Sequence, residues 1–440
     1  MSLASIQLSN FRNLQDYQIN FDENLTVLVA NNGAGKTAIL DALTVALGTF
    51  IGVFPSGINK GFKPSDATVS KNTNSVEVLF PIKLSAMFMV NNNDLSVNRQ
   101  LSSAKSKTTR KETEILEKYA KNLLNAVRKN EPITLPVISY YGTARLWSQI
   151  KLTKKSLIES KSRTFAYHDC LYPESSYKEF EQWFIDQSIA EYDEIVNYYQ
   201  KTVNQGVAPI VAPVNLLLQS VRIAIDKALQ QVGWSNLRYS GETKDITVEN
   251  GQTRITVSLL SDGVKNMLAM VGDIAYRCAK LNPHLLTNSN QCAGIVLIDE
   301  IDMHLHPSWQ QSVLNSLRQI FSNIQFIVTT HSPQILSTVK KCNIRVIDPS
   351  LTEALIPEVN PYGQASIVAL EDIMNVKSIP IAVVAESRLL DKYLKIINSG
   401  DIFNTDLPAM REQLEQVFGV NNQKLMIADM MINKFKALQK

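Results

Sequence analysis

Apolar residues follow two patterns along this chain, and each pattern predicts a different kind of element. Residues 5–11 and 17–21 alternate between apolar and polar positions, which indicates two strands joined by a turn around Asn13. Largely apolar runs, typical of strands buried on both faces, occupy 25–30, 295–298 and 324–330. Further strands are expected at 75–90 and 133–141, and a hairpin at 237–257. The pattern predicts an α/β fold with a buried mixed sheet and an antiparallel N-terminal sheet.

Helical spacing of apolar residues predicts the other elements. The first helix is expected to begin near Lys36, directly after the first apolar run, and to end near Leu47. Further helices are predicted at 112–129, 177–187, 214–232 and 264–280. The last segment, 371–440, is predicted to be helical, with turns at 399–401 and 419–422. No heptad pattern is long enough for an extended coiled coil.

Composition narrows the class of protein without identifying a partner. The chain has 440 residues, of which 45% are hydrophobic and 19% charged, as is typical of a globular protein with a large core. Its net charge of +3 means that any basic surface must be local. The four cysteines lie far apart with no CxxC pair, so we expect buried, unpaired thiols and no zinc site. No secretory signal or membrane-length apolar segment is apparent, and a cytoplasmic location is expected.

The first buried strand leads into the sequence ANNGAGKT (Ala30–Thr37) and then into a helix. A strand, a tight glycine turn and a helix N-terminus form an anion site from backbone N–H groups and the helix dipole. Lys36 is predicted to reach the β- and γ-phosphates of ATP, and the Thr37 hydroxyl to bind Mg²⁺. Ala30 replaces the glycine that usually begins this motif. The nucleotide-binding residues predicted in this loop are Asn32, Gly33, Ala34, Gly35, Lys36, Thr37 and Ala38.

Two carboxylates follow the apolar run 295–298. Open α/β sheets bind ligands at the carboxyl ends of their strands, so Asp299 is predicted to hold Mg²⁺, directly or through water. Glu300 is predicted to orient and deprotonate the attacking water. His331 follows the run 324–330 and is predicted to sense or polarise the γ-phosphate. The alternative is structural: two acids that only end a strand, and a histidine with no part in catalysis.

The sequence Leu260-Ser261-Asp262-Gly263 precedes the helix predicted at 264–280. Ser261 is expected to cap this helix, and Gly263 to leave its N-terminus open to an anion. Ser261, Asp262 and Gly263 are therefore candidates for binding an anion. The alternative is an ordinary N-capped helix.

Together these motifs resemble those of the RecF/SMC-like ABC ATPases. The segment QLSNFRNL (Gln7–Leu14) is similar to the N-terminal opening of that family, in which the position of Arg12 approaches the nucleotide phosphates. The family signature is usually LSGG, with glycine in place of Asp262, and it contacts the γ-phosphate bound by the opposite subunit. The resemblance implies an ABC-type ATPase head that uses ATP and Mg²⁺ and forms an ATP-bound homodimer or a larger homo-oligomer.

Other segments resemble the smaller, arm-less AAA-type branch of that family, and within it the PtuA-like ATPases of Septu and retron antiphage systems. These segments are 139–147, 167–184, 235–239, 298–310, 324–336 and 370–374. The resemblance implies a sensor or regulatory ATPase that acts with a separate HNH-type nuclease. His306 stands where other ABC relatives have an aspartate, and Arg145 is the candidate Q-loop residue.

The resemblance also implies four segments. They are an N-terminal lobe of the head (1–100), a helical insertion lobe (101–235) whose strand 133–141 returns to the head, a C-terminal lobe (236–350), and a helical region for partner binding or oligomerisation (351–440). Residues 383–386 could imitate the first acidic strand of a Toprim nuclease. No later strand supplies an Asp-x-Asp, so no nuclease of its own is expected.

Basic residues cluster in two loops, 105–111 and 151–163. Such loops could hold DNA or RNA phosphates without reading sequence, or could be solvated surface. The principal alternative function is therefore a RecF-like DNA repair ATPase that binds duplex DNA directly. A further alternative is a binding scaffold whose ATP site is structural.

Overall fold

The computed structural model describes residues 1–72, 75–110, 112–143, 161–173, 177–204, 213–251, 253–377, 380 and 384–438. The chain divides into two compact units, Met1–Ala369 and Leu370–Lys440. The finer division into four segments stays a prediction. No helix among the described residues combines the length and the apolar character needed to cross a membrane.

The larger unit contains all the described strands. They are β1 (Ser2–Phe11), β2 (Leu14–Asn20), β3 (Leu25–Val29), β4 (Thr68–Asn72), β5 (Ser75–Leu79), β6 (Ile82–Val90), β7 (Asn93–Leu101), β8 (Val137–Tyr141), β9 (Ser235–Ser240), β10 (Asp245–Asn250), β11 (Thr253–Thr256), β12 (Gly294–Ile298), β13 (Ile324–Thr329) and β14 (Ile344–Val346).

The described helices lie in both units. They are α1 (Lys36–Ile51), α2 (Glu114–Arg128), α3 (Tyr177–Asn204), α4 (Leu216–Gln230), α5 (Asp262–Leu281), α6 (Pro307–Gln310), α7 (Val313–Ile320), α8 (Pro333–Leu336), α9 (Ser366–Val368), α10 (Ala385–Asn398), α11 (Leu407–Phe418) and α12 (Gln423–Leu438).

A five-stranded sheet forms the centre of the larger unit. Its strand order is β14-β3-β13-β12-β8, and its described pairs are all parallel. Every residue of β3, β12 and β13 is buried, as their largely apolar sequences predict. Parallel strands place their carboxyl ends at one edge of the sheet. The phosphate loop, the two acids and the histidine therefore follow strands that end at the same edge.

An antiparallel sheet of order β2-β1-β6-β7 carries the N-terminal strands. Gln325, buried in β13, joins it to the parallel sheet. Its side-chain oxygen accepts a hydrogen bond from the backbone N–H of Leu3 (2.8 Å), and its side-chain nitrogen donates to the carbonyl oxygens of Leu3 and Asp22 (both 2.8 Å). The predicted α/β fold, with an antiparallel N-terminal sheet and a helical C-terminal region, is confirmed. Its core sheet was expected to be mixed, whereas the described strand pairs of that sheet are all parallel.

A buried ion pair fixes α5 against the end of β8. Arg277 Nε lies 2.8 Å from Asp273 Oδ2, and the two side chains are 1% and 2% exposed. Tyr141, the last residue of β8, donates its hydroxyl to the same oxygen of Asp273 (2.7 Å). The Arg277 guanidinium also donates to the carbonyl oxygen of His168 (3.1 Å). Buried charges persist only when hydrogen bonds of this kind replace water, so these residues pack in one arrangement.

The structure corrects several boundaries. The hairpin expected at 237–257 is a three-stranded sheet of order β11-β10-β9, because a second turn at Gly251 (φ 59°) adds β11. The strand expected at 75–90 is divided into β5 and β6 at Pro81, which has no N–H to donate to a ladder. Cys342 is exposed, whereas the other three cysteines are buried as expected.

The smaller unit is helical, as predicted, with turns between its helices close to the expected positions. Helices α10, α11 and α12 bury an apolar core of their own. Its buried residues are Leu390, Tyr393, Ile397, Leu407, Met410, Leu414, Leu425 and Ala428.

The buried ion pair gives a prediction about stability. Arg277→Met should lower the free energy of unfolding by about 3–5 kcal/mol, because it leaves the Asp273 charge buried without the guanidinium. Arg254→Met is the control, since Arg254 pairs with Glu249 at the surface, and it should change stability little. Urea denaturation measures both variants. Equal effects of the two substitutions would contradict the role given to the buried pair.

Candidate nucleotide site

The phosphate loop joins β3 to α1 through two glycines in the left-handed region, Gly33 (φ 77°) and Gly35 (φ 105°). Asn13, in the turn between β1 and β2, supports this loop by donating its side-chain N–H to the Gly33 carbonyl oxygen (3.0 Å). A Cβ atom at Gly35 would lie only 2.8 Å from the Asn13 side-chain oxygen. The sequence patterns did not identify Asn13 as a site residue.

Lys36 lies across this loop. Its Nζ donates to the carbonyl oxygens of Ala30 (2.8 Å) and Asn31 (3.3 Å), at the start of the motif. Burial lowers the pKa of Lys36, although the negative charges of Asp299 and Glu300 oppose this shift. The ammonium group is therefore within electrostatic range of both acids that follow β12.

Asp299, which follows β12, is bonded to the start of α1 and to the end of β13. One of its oxygens, Oδ2, accepts a hydrogen bond from the Thr37 hydroxyl (2.8 Å), at the start of α1. The other, Oδ1, accepts from the Thr329 hydroxyl (2.6 Å), at the end of β13. Asp299 is 1% exposed, so these bonds replace the water that its charge would otherwise require. Thr329 is a member of the site that the sequence patterns did not single out.

The oxygens of Thr37 and Asp299 fit a magnesium site. Mg²⁺ prefers oxygen ligands and, in nucleotide enzymes, is held by one or two protein oxygens together with substrate phosphates. The Thr37 hydroxyl and the Asp299 carboxylate, in contact at the edge of the sheet, supply oxygens of this kind.

Glu300 stands where the chain turns away from β12. Its backbone is left-handed (φ 47°), a conformation that costs a residue with a side chain about 1–3 kcal/mol and that clusters at functional sites. The Glu300 N–H donates to the Thr329 hydroxyl oxygen (2.7 Å), and the N–H of Ile301 donates to the Thr329 carbonyl (3.0 Å). Thr329 thus holds both the metal-binding candidate, Asp299, and the backbone of the candidate base.

Arg12 lies beside the first turns of α1. Its Nη1 is 2.8 Å from Asp41 Oδ2, and its Nη2 is 3.1 Å from Asp66 Oδ1. The guanidinium is therefore held by two carboxylates in this structure. Its approach to the nucleotide phosphates stays a prediction.

The signature residues lie at the start of α5. Ser261 occupies the N-cap position and is exposed, but its side chain makes no capping hydrogen bond, so the expected cap is corrected. The side chain of Asp262 is 77% exposed and lies 3.5 Å from Lys265 Nζ. Gly263 is buried, and a Cβ atom there would lie only 2.4 Å from the His304 carbonyl oxygen. A glycine is thus required at this position by packing alone.

His331 lies just beyond β13, and its backbone N–H is 3.3 Å from Asp302 Oδ1. In the first basic loop, Lys105, Lys107 and Arg110 are exposed, whereas Lys111 lies outside the described residues. Most of the second basic loop, 151–160, and the Q-loop candidate Arg145 also lie outside them.

Two family models match this chain: an AAA domain over residues 5–206 and an AAA ATPase domain over residues 148–336. The chain is an AAA-type ATPase. It is similar to the retron Vc95 probable ATPase of Vibrio cholerae serotype O1 biovar El Tor, with 28% identity over 90% of this chain and 84% of that protein.

Two further relatives match with lower identity. The Septu protein PtuA of Bacillus thuringiensis is 22% identical over 76% of this chain and 72% of its own. The DNA replication and repair protein RecF of Francisella tularensis subsp. mediasiatica is 21% identical over 76% of this ATPase and 96% of its own chain. The resemblance to RecF and to PtuA-like ATPases, inferred from the motifs, is confirmed.

Because the Thr329 hydroxyl contacts both Asp299 and the backbone of Glu300, its removal should lower the rate of ATP hydrolysis. Thr329→Val removes the hydroxyl and should slow ATP turnover about ten- to a hundredfold, because hydrogen bonds to charged groups contribute about 1.5–3 kcal/mol. Thr329→Ser keeps the hydroxyl and should retain most of the activity. Steady-state phosphate release measures both. Equal turnover by the valine and serine variants would contradict this role of the hydroxyl.

Proposed function

We propose that this ATPase hydrolyses ATP at sites shared by two copies of the chain. We further propose that it is the sensor or regulatory subunit of an antiphage defence complex with a separate HNH-type nuclease. The observation that carries ATP hydrolysis is the 2.8 Å hydrogen bond between Thr37 and Asp299, which brings together two predicted nucleotide motifs that lie far apart in the sequence. The names of the retron and Septu relatives support the defence role, and the nuclease partner is what the resemblance to PtuA-like ATPases implies.

In the proposed reaction, the backbone N–H groups of the loop 32–38 and the Lys36 ammonium bind the phosphates. Glu300 orients a water molecule and takes its proton as the water oxygen bonds to the γ-phosphorus. The bond from that phosphorus to the β–γ bridging oxygen then breaks, leaving ADP and phosphate. Mg²⁺ held by Thr37 and Asp299 would neutralise charge on the phosphate oxygens.

The signature residues support a shared site. Ser261 and Asp262 are exposed at the start of α5, where the helix dipole favours an anion. In the proposed dimer these residues of one copy contact the γ-phosphate bound by the other. His331 of the copy that binds the nucleotide senses or polarises the same γ-phosphate. Larger assemblies would repeat this contact.

Mixing two inactive variants tests the shared site. Lys36→Ala disables the phosphate loop, and Ser261→Arg disables the signature. In a mixed dimer one site combines the intact loop of the Ser261→Arg copy with the intact signature of the Lys36→Ala copy. Random exchange should therefore restore about one quarter of wild-type turnover, since half the dimers are mixed and each has one intact site.

Glu300→Gln supplies the control for this mixture. Added to the Ser261→Arg copy it should abolish the recovery, because that copy supplies the working loop and base. Added to the Lys36→Ala copy it should have no effect. No recovery in the plain mixture would refute the shared site, whereas recovery that is insensitive to Glu300→Gln in either copy would refute the assignment of the base.

A RecF-like ATPase that binds duplex DNA is the second candidate. Two observations favour it: the match over 96% of the RecF chain, and the three exposed basic residues Lys105, Lys107 and Arg110. Cations of this kind bind DNA phosphates with an affinity that falls as salt rises.

This candidate predicts duplex binding by the isolated protein. Reversing the charges of Lys105, Lys107 and Arg110 to Glu should weaken that binding and flatten its salt dependence, as measured by fluorescence anisotropy. Reversal of three exposed lysines of the smaller unit, Lys392, Lys395 and Lys424, is the control. If the wild-type protein does not bind duplex DNA, or if both triple variants behave alike, the second candidate fails.

A further inference from the structure

The chain segment that carries His331 is held from both sides by residues that follow β12. On one side, the Thr330 hydroxyl donates to Asp302 Oδ1 (2.6 Å), and the same oxygen lies 3.3 Å from the backbone N–H of His331. On the other side, the Ser332 hydroxyl donates to the side-chain oxygen of Gln310 (2.7 Å). Both neighbours of His331 are therefore tied to the segment 302–310.

The two hydroxyl donors in these contacts are buried. Thr330 is 0% exposed and Ser332 is 5% exposed. A hydrogen bond from a hydroxyl to a carboxylate is charge-assisted and short, and it is stronger when water is excluded. The Asp302 carboxylate thus receives the hydroxyl and the backbone N–H of two consecutive residues on one oxygen, which restricts the backbone on which the imidazole is carried.

Thr329 and Thr330 each bind one of the two aspartates in the segment 299–302. Thr329 donates to Asp299 and Thr330 donates to Asp302. The candidate base, Glu300, stands between those aspartates. The two adjacent threonines therefore join the segment that carries the base to the segment that carries the histidine.

We propose that Asp302, acting through Thr330, is a positioning residue for His331 in ATP hydrolysis. This inference rests on the proposed role of His331 at the γ-phosphate. Asp302 itself need not touch the nucleotide, because it sets the backbone of the residue that does. Catalysis is sensitive to such placement, and a displacement of about 1 Å can slow turnover about a hundredfold.

A matched pair of substitutions tests the hydrogen bond. Thr330→Ser keeps the hydroxyl and should retain most of the wild-type kcat. Thr330→Val is close to threonine in shape but lacks the hydroxyl, and should lower kcat at least about tenfold with little change in the KM for ATP. Asp302→Asn keeps an acceptor oxygen and should be less impaired than Asp302→Ala. If Thr330→Val turned over as fast as Thr330→Ser, the inference would be wrong.

A double variant that combines Thr330→Val with His331→Ala distinguishes the positioning of His331 from a general loss of stability. If Thr330 acts through His331, the Thr330→Val/His331→Ala double variant should be no slower than His331→Ala alone, because the group to be positioned is already gone. Multiplying losses in the double variant would overturn the inference while leaving the role of His331 intact. Normal turnover by His331→Ala would instead refute the proposed role of the histidine, and the inference with it.

Asp348 provides the control for the aspartate. Its Oδ1 also accepts a hydroxyl and a backbone N–H, both from Ser350 (2.7 and 2.9 Å), and its backbone N–H donates to the Tyr17 hydroxyl, so these contacts involve none of the proposed nucleotide-binding residues. Asp348→Ala removes the same kind of contact and should leave kcat unchanged. Binding of a fluorescent ATP analogue and the thermal midpoint are measured for every variant. If Asp302→Ala lost no more turnover than Asp348→Ala, positioning by Asp302 would be excluded.

Discussion

The buried carboxylate of Asp299 is the constraint on which the nucleotide site depends. An unpaired charge with 1% exposure would be strongly unfavourable, and both of its oxygens accept threonine hydroxyls. These two hydrogen bonds require β12 to end beside the start of α1, through Thr37, and beside the end of β13, through Thr329. The relative positions of the phosphate loop, the acids and the histidine-bearing segment follow from that requirement.

The apolar runs in the sequence predict the buried strands of this arrangement and the sheet edge at which they end. Strands β3, β12 and β13 are largely apolar segments, and every one of their residues is buried in the parallel sheet. Since parallel strands share the edge at which their carboxyl ends meet, the motif residue after each strand could be assigned to one site. Of those predicted residues, Lys36, Thr37 and Asp299 are brought into mutual reach by hydrogen bonds or charge.

The polar residues that orient the site could not be found in the same way. Asn13, Thr329 and Asp302 have no periodic signal, and tertiary structure alone determines which partner each one reaches. Tertiary structure likewise determines the two carboxylate partners of Arg12, whose approach to the phosphates stays a prediction. Strand β7 was missed because many of its residues are polar, and its buried Arg99 donates to the carbonyl oxygen of Val45 (2.8 Å).

The segment after β12 also contacts α5, the helix that begins at the signature residues. Within each subunit this contact connects the acids of one proposed site to the signature that would serve the other. The carbonyl of His304 packs so closely on Gly263 that no side chain fits between them. Asp302, two residues earlier, accepts from the segment that carries His331. Because packed backbone transmits displacement rather than absorbing it, a shift in residues 300–304 on hydrolysis would move the start of α5. In the proposed dimer the start of α5 faces the nucleotide bound by the other copy. Hydrolysis at one site would therefore affect the other site.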